Sequence, residues 1–167
     1  AKAGNPDMVY EFASTSKITY PGAGISVMAS SVDNIKYMSK LMGVQMISYD
    51  KVNQLRHVLY LKNKAHTIEI MKRHASVMAP KFCTVLDMLD KEIAPCGFAH
   101  WNRPKGGYFV SLNTMHGTAK RAVQLCKEAG VEMTPAGATW PYGKDPYDRD
   151  IRIAPSFPPV EELKDAI

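Results

Sequence analysis

The longest periodic segment of the sequence runs from residue 64 to residue 92 and limits the folds open to the chain. Its apolar residues recur at intervals of three and four, the period of one helix face: Ile68, Met71, Ala75, Met78, Phe82, Val85 (or Leu86) and Leu89. Pro80 interrupts this pattern. A proline inside a helix removes a hydrogen bond and clashes with the preceding turn, so we predict a kink or a split there. The pattern predicts one long bent helix of the kind that joins two domains or frames one.

Before this helix the sequence predicts two strands and two helices. Residues 8–14 and 24–30 have the alternation and the β-branched and aromatic content of short strands, the first of them buried. A helix is predicted over about 32–47, with Ser31 and Asp33 as candidate starts. Asp50 is placed to cap a second helix, whose apolar side would be formed by Val52, Leu55 and Val58–Leu59.

After residue 95 short strands and helices alternate, which predicts a small α/β layer. The predicted strands are 98–101, 107–112, 131–134 and 151–154, and the predicted helices are 117–129 and 159–167, with an irregular loop over 135–150. The fold class is therefore α/β, with an α+β domain at the end. The opening strands are too few to cover the helices that follow, so we expect the second part of a larger protein.

Composition removes several classes of function. The 167 residues are 46% apolar and 22% charged, as in a globular domain. No apolar run approaches ~20 residues, so no membrane span is expected. The three cysteines are far apart and no Cys/His cluster occurs, which argues against a metal site and fits a reducing, cytoplasmic setting. The net charge of +5 is scattered rather than clustered, which argues against nucleic acid as a partner.

The segment FASTSKITYPGAG, residues 12–24, places Lys17 among hydroxyls and glycines. A lysine amine can form a Schiff base with an aldehyde when its position and surroundings are controlled. The hydroxyls of Ser14 and Ser16 could bind a phosphate, and Gly22 and Gly24 allow a close approach of backbone. From these residues alone, an ordinary lysine in a turn remains the alternative.

Arg152 lies between Ile151 and Ile153 in the predicted strand IRIA. Because side chains alternate along a strand, Arg152 should face away from both isoleucines. A guanidinium fixed in this way can bind a carboxylate through two parallel hydrogen bonds. The alternative is an arginine on an edge strand that extends into solvent.

Taken in order, these motifs resemble the second half of class I/II aminotransferases, which are pyridoxal-phosphate (PLP) enzymes of fold type I. The resemblance covers essentially all 167 residues and rests on the Ser-x-Ser-Lys stretch, the Pro-Gly loop, the long helix, the P-x-GG-Y-F and G-V-x-x-T-P-x-G segments and the final I-R-I-A strand. The resemblance is closest to the MocR-type, alanine–glyoxylate-like branch. It is carried by the segments STSKITYPGAG, NRPKGGYFVSL and GKDPYDRDIRIAPSFPPVEEL.

The resemblance implies a role for each candidate residue. Lys17 would hold the cofactor covalently and would carry the proton between the substrate Cα and the cofactor. Ser14 would bind the cofactor phosphate, with Ser16 as a second candidate, and Arg152 would bind the α-carboxylate of the substrate. Many relatives have a phosphate-binding arginine seven or eight residues after the lysine, where this chain has Gly24 and Ile25.

The resemblance also implies a domain division and a reaction. Residues 1–60 would end the cofactor-binding large domain, 61–94 would form the interdomain helix and 95–167 the small domain. The parent protein would be a homodimer that transfers an amino group between an amino acid, such as aspartate or alanine, and a 2-oxo acid. The N-terminal half would be missing, with the aspartate that protonates the cofactor ring, so we expect the isolated chain to be inactive.

Three other functions remain open from the sequence. The chain could belong to the effector-sensing domain of a MocR-type transcription regulator, or to another fold type I enzyme such as a decarboxylase or lyase. It could also contain a stand-alone binding module in its small domain. The amino donor is equally open, because a dicarboxylate donor needs a second cation, for which Lys105, Lys144 and Arg149 are candidates.

Overall fold

The computed structural model describes residues 4–167. The chain divides into two compact units, with the boundary between Arg73 and His74. This boundary falls inside a single helix. The three-part domain division made from the sequence stays a prediction.

The first unit pairs two strands and carries two helices. β1 (Tyr10–Ser14) and β2 (Ser26–Ser30) are antiparallel, and they are followed by α1 (Val32–Gln45) and α2 (Lys51–Leu61). The side chain of Ser31 accepts a hydrogen bond from the first turn of α1, and that of Asp50 does the same for α2. These caps satisfy N–H groups that a helix start otherwise leaves unpaired. The elements predicted for this part of the sequence are confirmed.

Burial in the first unit differs from the prediction. β1, predicted as a buried strand, is exposed along its whole length, and Phe12 retains 74% of its accessible surface. The predicted apolar side of α2 is also exposed, and the residue that α2 buries is His57. Two strands have little capacity to bury their own faces. Apolar periodicity therefore identified the helix but not its buried side.

α3 (Lys64–Met88) is one continuous helix that contains Pro80. The alternative in which Pro80 splits the helix in two is therefore wrong. The helix ends in a π-helical turn (Leu89–Ile93) and a 3-10 turn (Ala94–Cys96), and Gly97 follows in the left-handed conformation that terminates helices.

The second unit is built on an antiparallel sheet of three strands. β3 (His100–Trp101), β4 (Val110–Asn113) and β5 (Asp150–Ile153) lie in that order, with α4 (Ala119–Glu128) between β4 and β5 and α5 (Val160–Asp165) at the end. Its core is formed by Val85, Leu89, Val110 and Leu163. The mixed α/β class is confirmed. The strand predicted at 131–134 is wrong: the N–H of Val131 donates to the carbonyl of Cys126 and so completes the end of α4.

Two functional classes find no support within residues 4–167. No helix there combines the length and apolarity needed to cross a bilayer. Over the same residues, no three His, Cys, Asp or Glu side chains lie close enough together to hold a metal ion.

Candidate functional site

Lys17 lies in the middle of a tight turn that follows β1. The carbonyl of Thr15 accepts hydrogen bonds from the N–H of Ile18 (2.9 Å) and the N–H of Thr19 (3.0 Å). The side chain of Lys17 is exposed. The turn therefore fixes the backbone of Lys17, and the residue as a whole is exposed.

Ser14 and Ser16 form a pair of hydroxyls beside Lys17. Their Oγ atoms are 2.6 Å apart, and the N–H of Ser16 donates to Ser14 Oγ at 3.1 Å. A hydroxyl has one hydrogen to donate. One of the two hydrogens lies between the oxygens, and the other is available to an outside acceptor. This arrangement suits an anionic oxygen such as that of a phosphate.

The loop leaves little room for a side chain at Gly24. A Cβ atom at Gly24 would lie 2.7 Å from Ser16 Oγ and 3.1 Å from Ser16 Cα. Real Cβ contacts are longer, so a larger residue would displace Ser16. An arginine at position 24 would therefore require Ser16 to shift. At position 25, the N–H and carbonyl of Ile25 both bond to Thr15.

We expect Gly24→Ala to weaken the hydroxyl pair. The new Cβ would push Ser16 away from Ser14, and the loss should appear as a roughly 10-fold weaker affinity for a phosphate-bearing ligand, about the value of one hydrogen bond to a charged group. The measurement is a titration of the complete parent protein with PLP. Gly22→Ala is not a suitable control because its φ is +74°. Gly43→Ala is suitable, because nothing lies within 4 Å of its new Cβ.

His57 lies beneath the Lys17 turn and is 1% exposed. Its Nε2 atom is 2.8 Å from Thr19 Oγ1 and 3.1 Å from Thr15 Oγ1, and its Nδ1 atom is 2.9 Å from the carbonyl of Asn53. The edge of the imidazole meets the ring of Tyr20, with centroids 5.6 Å apart. No sequence pattern indicated a role for His57, because the five histidines of the chain show no metal-ligand spacing.

Arg152 lies in β5, opposite Ser111 of β4. Ile151 is buried and Ile153 packs against the core, so the predicted alternation is confirmed. The guanidinium carbon of Arg152 lies 4.5 Å from the centroid of the Phe109 ring. Its Nε atom is buried and has no hydrogen-bond partner among the described residues. A buried donor without a partner is costly, and an incoming carboxylate would satisfy it.

Three aspartates build the loop that leads into β5. The carboxylate of Asp145 accepts from the N–H groups of Tyr147 (2.9 Å), Arg149 (2.8 Å) and Asp150 (2.8 Å). Asp148 accepts from the N–H groups that begin α4, through its carbonyl and its side chain. Asp150 accepts from the hydroxyls of Ser111 and Thr139. These carboxylates shape the loop and thereby set where β5 begins.

The stability of this loop should fall in acid. Burial alone would raise the pKa of Asp145, but the N–H groups of Arg149, Asp150, Tyr147 and Asp148 outweigh it, and the pKa lies below its usual 3.8. A carboxyl whose pKa is lower in the folded state stabilises the fold above its unfolded pKa, and this contribution is lost as pH falls through the folded value.

We therefore expect the urea concentration at the unfolding midpoint to decrease when the pH is lowered below about 4, the pKa of an aspartate in the unfolded chain. In Asp145→Asn, the midpoint at pH 7 should be lower and the acid-dependent drop smaller, because an amide cannot accept all of these bonds. Asp33→Asn is the control, since Asp33 is exposed. An unchanged acid profile in Asp145→Asn would contradict the prediction.

Known aminotransferases are similar to this chain over nearly its whole length. The family profile described as aspartate amino-transferase matches residues 1–167, which is the whole chain. The chain belongs to the aspartate aminotransferase family. A putative aminotransferase of Mycolicibacterium smegmatis is 48% identical over 167 residues, and an aspartate aminotransferase of Corynebacterium glutamicum is 46% identical over 165. The matches give no support to the MocR-type branch that the motif sequences suggested.

Solved aminotransferases share the fold of this family member. A crystal structure of an aspartate transaminase from C. glutamicum matches with a TM-score of 0.93 and 45% identity over 99% of this chain. LysN, an α-aminoadipate aminotransferase of Thermus thermophilus, matches with a TM-score of 0.77 at 20% identity, which shows the fold alone. The chain spans 39% of the M. smegmatis relative and 39% of the C. glutamicum structure.

The structure places the candidate residues in separate units. Ser14, Ser16 and Lys17 lie together in the first unit, and Arg152 lies in the second.

Proposed function

We propose that this chain is the C-terminal part of a PLP-dependent aminotransferase and carries two of its working residues. Lys17 would hold the cofactor and move the proton, and Arg152 would bind the α-carboxylate of the substrate. The proposal rests above all on the turn between Thr15 and Thr19, which fixes the backbone of the exposed residue Lys17 beside the Ser14–Ser16 hydroxyl pair.

The residues around Lys17 fit pyridoxal phosphate. The Ser14–Ser16 pair has a hydroxyl hydrogen available for a phosphate oxygen, and Gly24 keeps the loop beside it free of side-chain atoms. When bound, the cofactor supplies an aldehyde carbon and a ring that accepts electrons. Lys17 Nζ would supply the amine that binds this carbon. Ser14 and Ser16 would orient the phosphate end.

Lys17 and Arg152 would divide the work on the substrate. Arg152 binds and orients the α-carboxylate, which its fixed guanidinium can do through two parallel hydrogen bonds. Lys17 Nζ would accept the proton from the substrate Cα and carry it to the cofactor. Proton transfer by a positioned group of this kind contributes ~10²–10⁴-fold to a rate.

For the substrates, we propose aspartate as the amino donor and a 2-oxo acid as the acceptor. The name of the C. glutamicum relative favours aspartate over alanine. Aspartate carries a second carboxylate, which needs a further cation. Arg149 stands close to β5 with its guanidinium carbon 5.7 Å from the centroid of the Tyr147 ring. We further propose that the parent protein is a cytoplasmic homodimer.

The test is covalent trapping of PLP on lysine. The chain alone, and the chain combined with the rest of its parent, are incubated with PLP, reduced with borohydride and digested, and the modified lysine is found by mass spectrometry. We expect scattered labelling in the chain alone and labelling selective for Lys17 in the combination.

The other outcomes are equally informative. Labelling selective for Lys17 in the chain alone would mean that the cofactor site forms without the rest of the parent, and would contradict the expected inactivity. Scattered labelling in both samples would remove Lys17 from the proposed function.

A further inference from the structure

We propose that His57 is a positioning residue for Lys17. It ties both ends of the Lys17 turn to α2 and so fixes where the lysine amine lies. The inference rests on the role proposed for Lys17, but the contacts that carry it concern residues which that role does not use. We call Thr15, Thr19 and His57 the histidine clamp.

The hydrogen-bond partners of His57 determine which nitrogen carries the proton. A carbonyl can only accept, so Nδ1, at 2.9 Å from the carbonyl of Asn53, carries a hydrogen. In the neutral ring Nε2 is then an acceptor with one lone pair, which the hydroxyls of Thr19 and Thr15 share at 2.8 and 3.1 Å. The carbonyls that could compete for these hydrogens are more distant, at 3.2 Å from Thr19 Oγ1 and 3.3 Å from Thr15 Oγ1.

The positions of the two threonines give the clamp its effect on Lys17. Each lies two residues from Lys17, one before it and one after it. A single ring nitrogen therefore holds both ends of the five-residue turn. Because His57 is 1% exposed, water cannot readily replace these bonds, and their loss would leave buried polar atoms without partners.

α2 also holds the returning side of the loop. Asn53 lies one helical turn before His57, and its Nδ2 atom donates to the carbonyl of Ala23 at 2.8 Å. Thr15 is joined to Ile25 by both backbone and side-chain hydrogen bonds. The two sides of the loop are thus fixed to one helix. Lys17 is the residue at the tip that these bonds position.

The first test measures whether the clamp holds the turn. Amide hydrogen exchange is followed at Ile18 and Thr19 in the full chain, since both N–H groups bond to Thr15. His57→Leu removes the ring nitrogens, and we expect exchange at these two amides to rise at least 10-fold. His57→Gln places an acceptor close to the Nε2 position and should restore most of the protection. His57→Asn, which mimics Nδ1, should not.

A second variant covers the case in which His57→Leu does not fold. Thr19→Val removes one hydroxyl of the clamp and keeps the side-chain volume. Thr67→Val is its matched control, because the Thr67 hydroxyl bonds to backbone carbonyls near the start of α3. Thr19→Val should raise exchange at Ile18 and Thr19, and Thr67→Val should leave it unchanged.

The second test measures whether the clamp positions the lysine. In the chain combined with the rest of its parent, the fraction of trapped PLP on Lys17 is compared between wild type, His57→Leu and His57→Gln. We expect a loss of at least 5-fold in His57→Leu and recovery in His57→Gln. Ile70→Ala is the control for general destabilisation, since Ile70 is buried elsewhere in the first unit.

Three results would overturn the proposal. The first is unchanged exchange at Ile18 and Thr19 in every folded variant. The second is faster exchange spread equally over α1 and α2, which would mean a general structural role. The third is faster exchange at the turn with unchanged trapping on Lys17. Failure of wild type to trap PLP on Lys17 would instead overturn the proposed function, and the exchange test would still decide on the clamp.

Discussion

Lys17→Ala in the complete parent protein is expected to abolish covalent trapping of PLP on residue 17. It should also reduce the rate of amino transfer by about 10²- to 10⁴-fold or more. That range is the usual contribution of a positioned acid–base group, and the covalent hold on the cofactor is lost in addition. Single-turnover rates with aspartate measure the effect on the chemical step. Peptide mapping after borohydride measures the effect on attachment.

Two control variants separate the amine from its charge. Lys17→Arg keeps a cation in the turn but cannot form the same covalent bond, and it should be nearly as inactive as Lys17→Ala. Lys36→Ala removes an exposed lysine whose amine lies 3.5 Å from Asp33 Oδ1, and it should behave as wild type. Substantial activity in Lys17→Arg would show that Lys17 acts only through its charge.

Arg152→Lys is expected to lower kcat/KM by roughly 10- to 100-fold. A lysine keeps the charge but replaces the planar fork by a point charge, so one of two charged hydrogen bonds is lost, at about 1.5–3 kcal/mol. The contact with the Phe109 ring is also weakened. Most of the loss should appear in KM if Arg152 acts by binding the α-carboxylate.

The design of this experiment uses a second arginine and a second ligand. Arg121→Lys is the control, because Arg121 is exposed and paired with Glu128 on α4. Affinity for a simple dicarboxylate should fall in Arg152→Lys alongside kcat/KM. If the substitution changes neither KM nor this affinity, Arg152 does not bind the carboxylate, and its contact with the Phe109 ring is structural only.

Local sequence signals predicted most of the elements and the two charged candidates. Caps at Ser31 and Asp50 determined the starts of α1 and α2, and alternation around Arg152 determined which way that side chain faces. Both depend on neighbours within a few residues, which the sequence displays directly. The strand predicted at 131–134 failed for the opposite reason. Its pattern suits a strand, but the N–H of Val131 donates a hydrogen bond to the carbonyl of Cys126 at the end of α4.

Long-range contacts were beyond prediction. His57 meets Thr15 and Thr19 across about 40 residues, and no local pattern indicates that a histidine on an apolar helix will be its buried residue. The same limit explains the exposed side of α2. Apolar spacing gives the period of a helix, while burial depends on which elements cover it.

The aspartates before β5 also matter for inhibition. A loose carboxylate close to Arg152 would be tethered at high effective concentration and would compete with every incoming substrate. The oxygens of Asp145 and Asp150 are instead bonded to N–H and hydroxyl groups of their own loop, and no salt bridge to Arg152 occurs within residues 4–167. The chain thus places acidic residues close in sequence to Arg152, the proposed carboxylate-binding residue, without supplying its own competitive inhibitor.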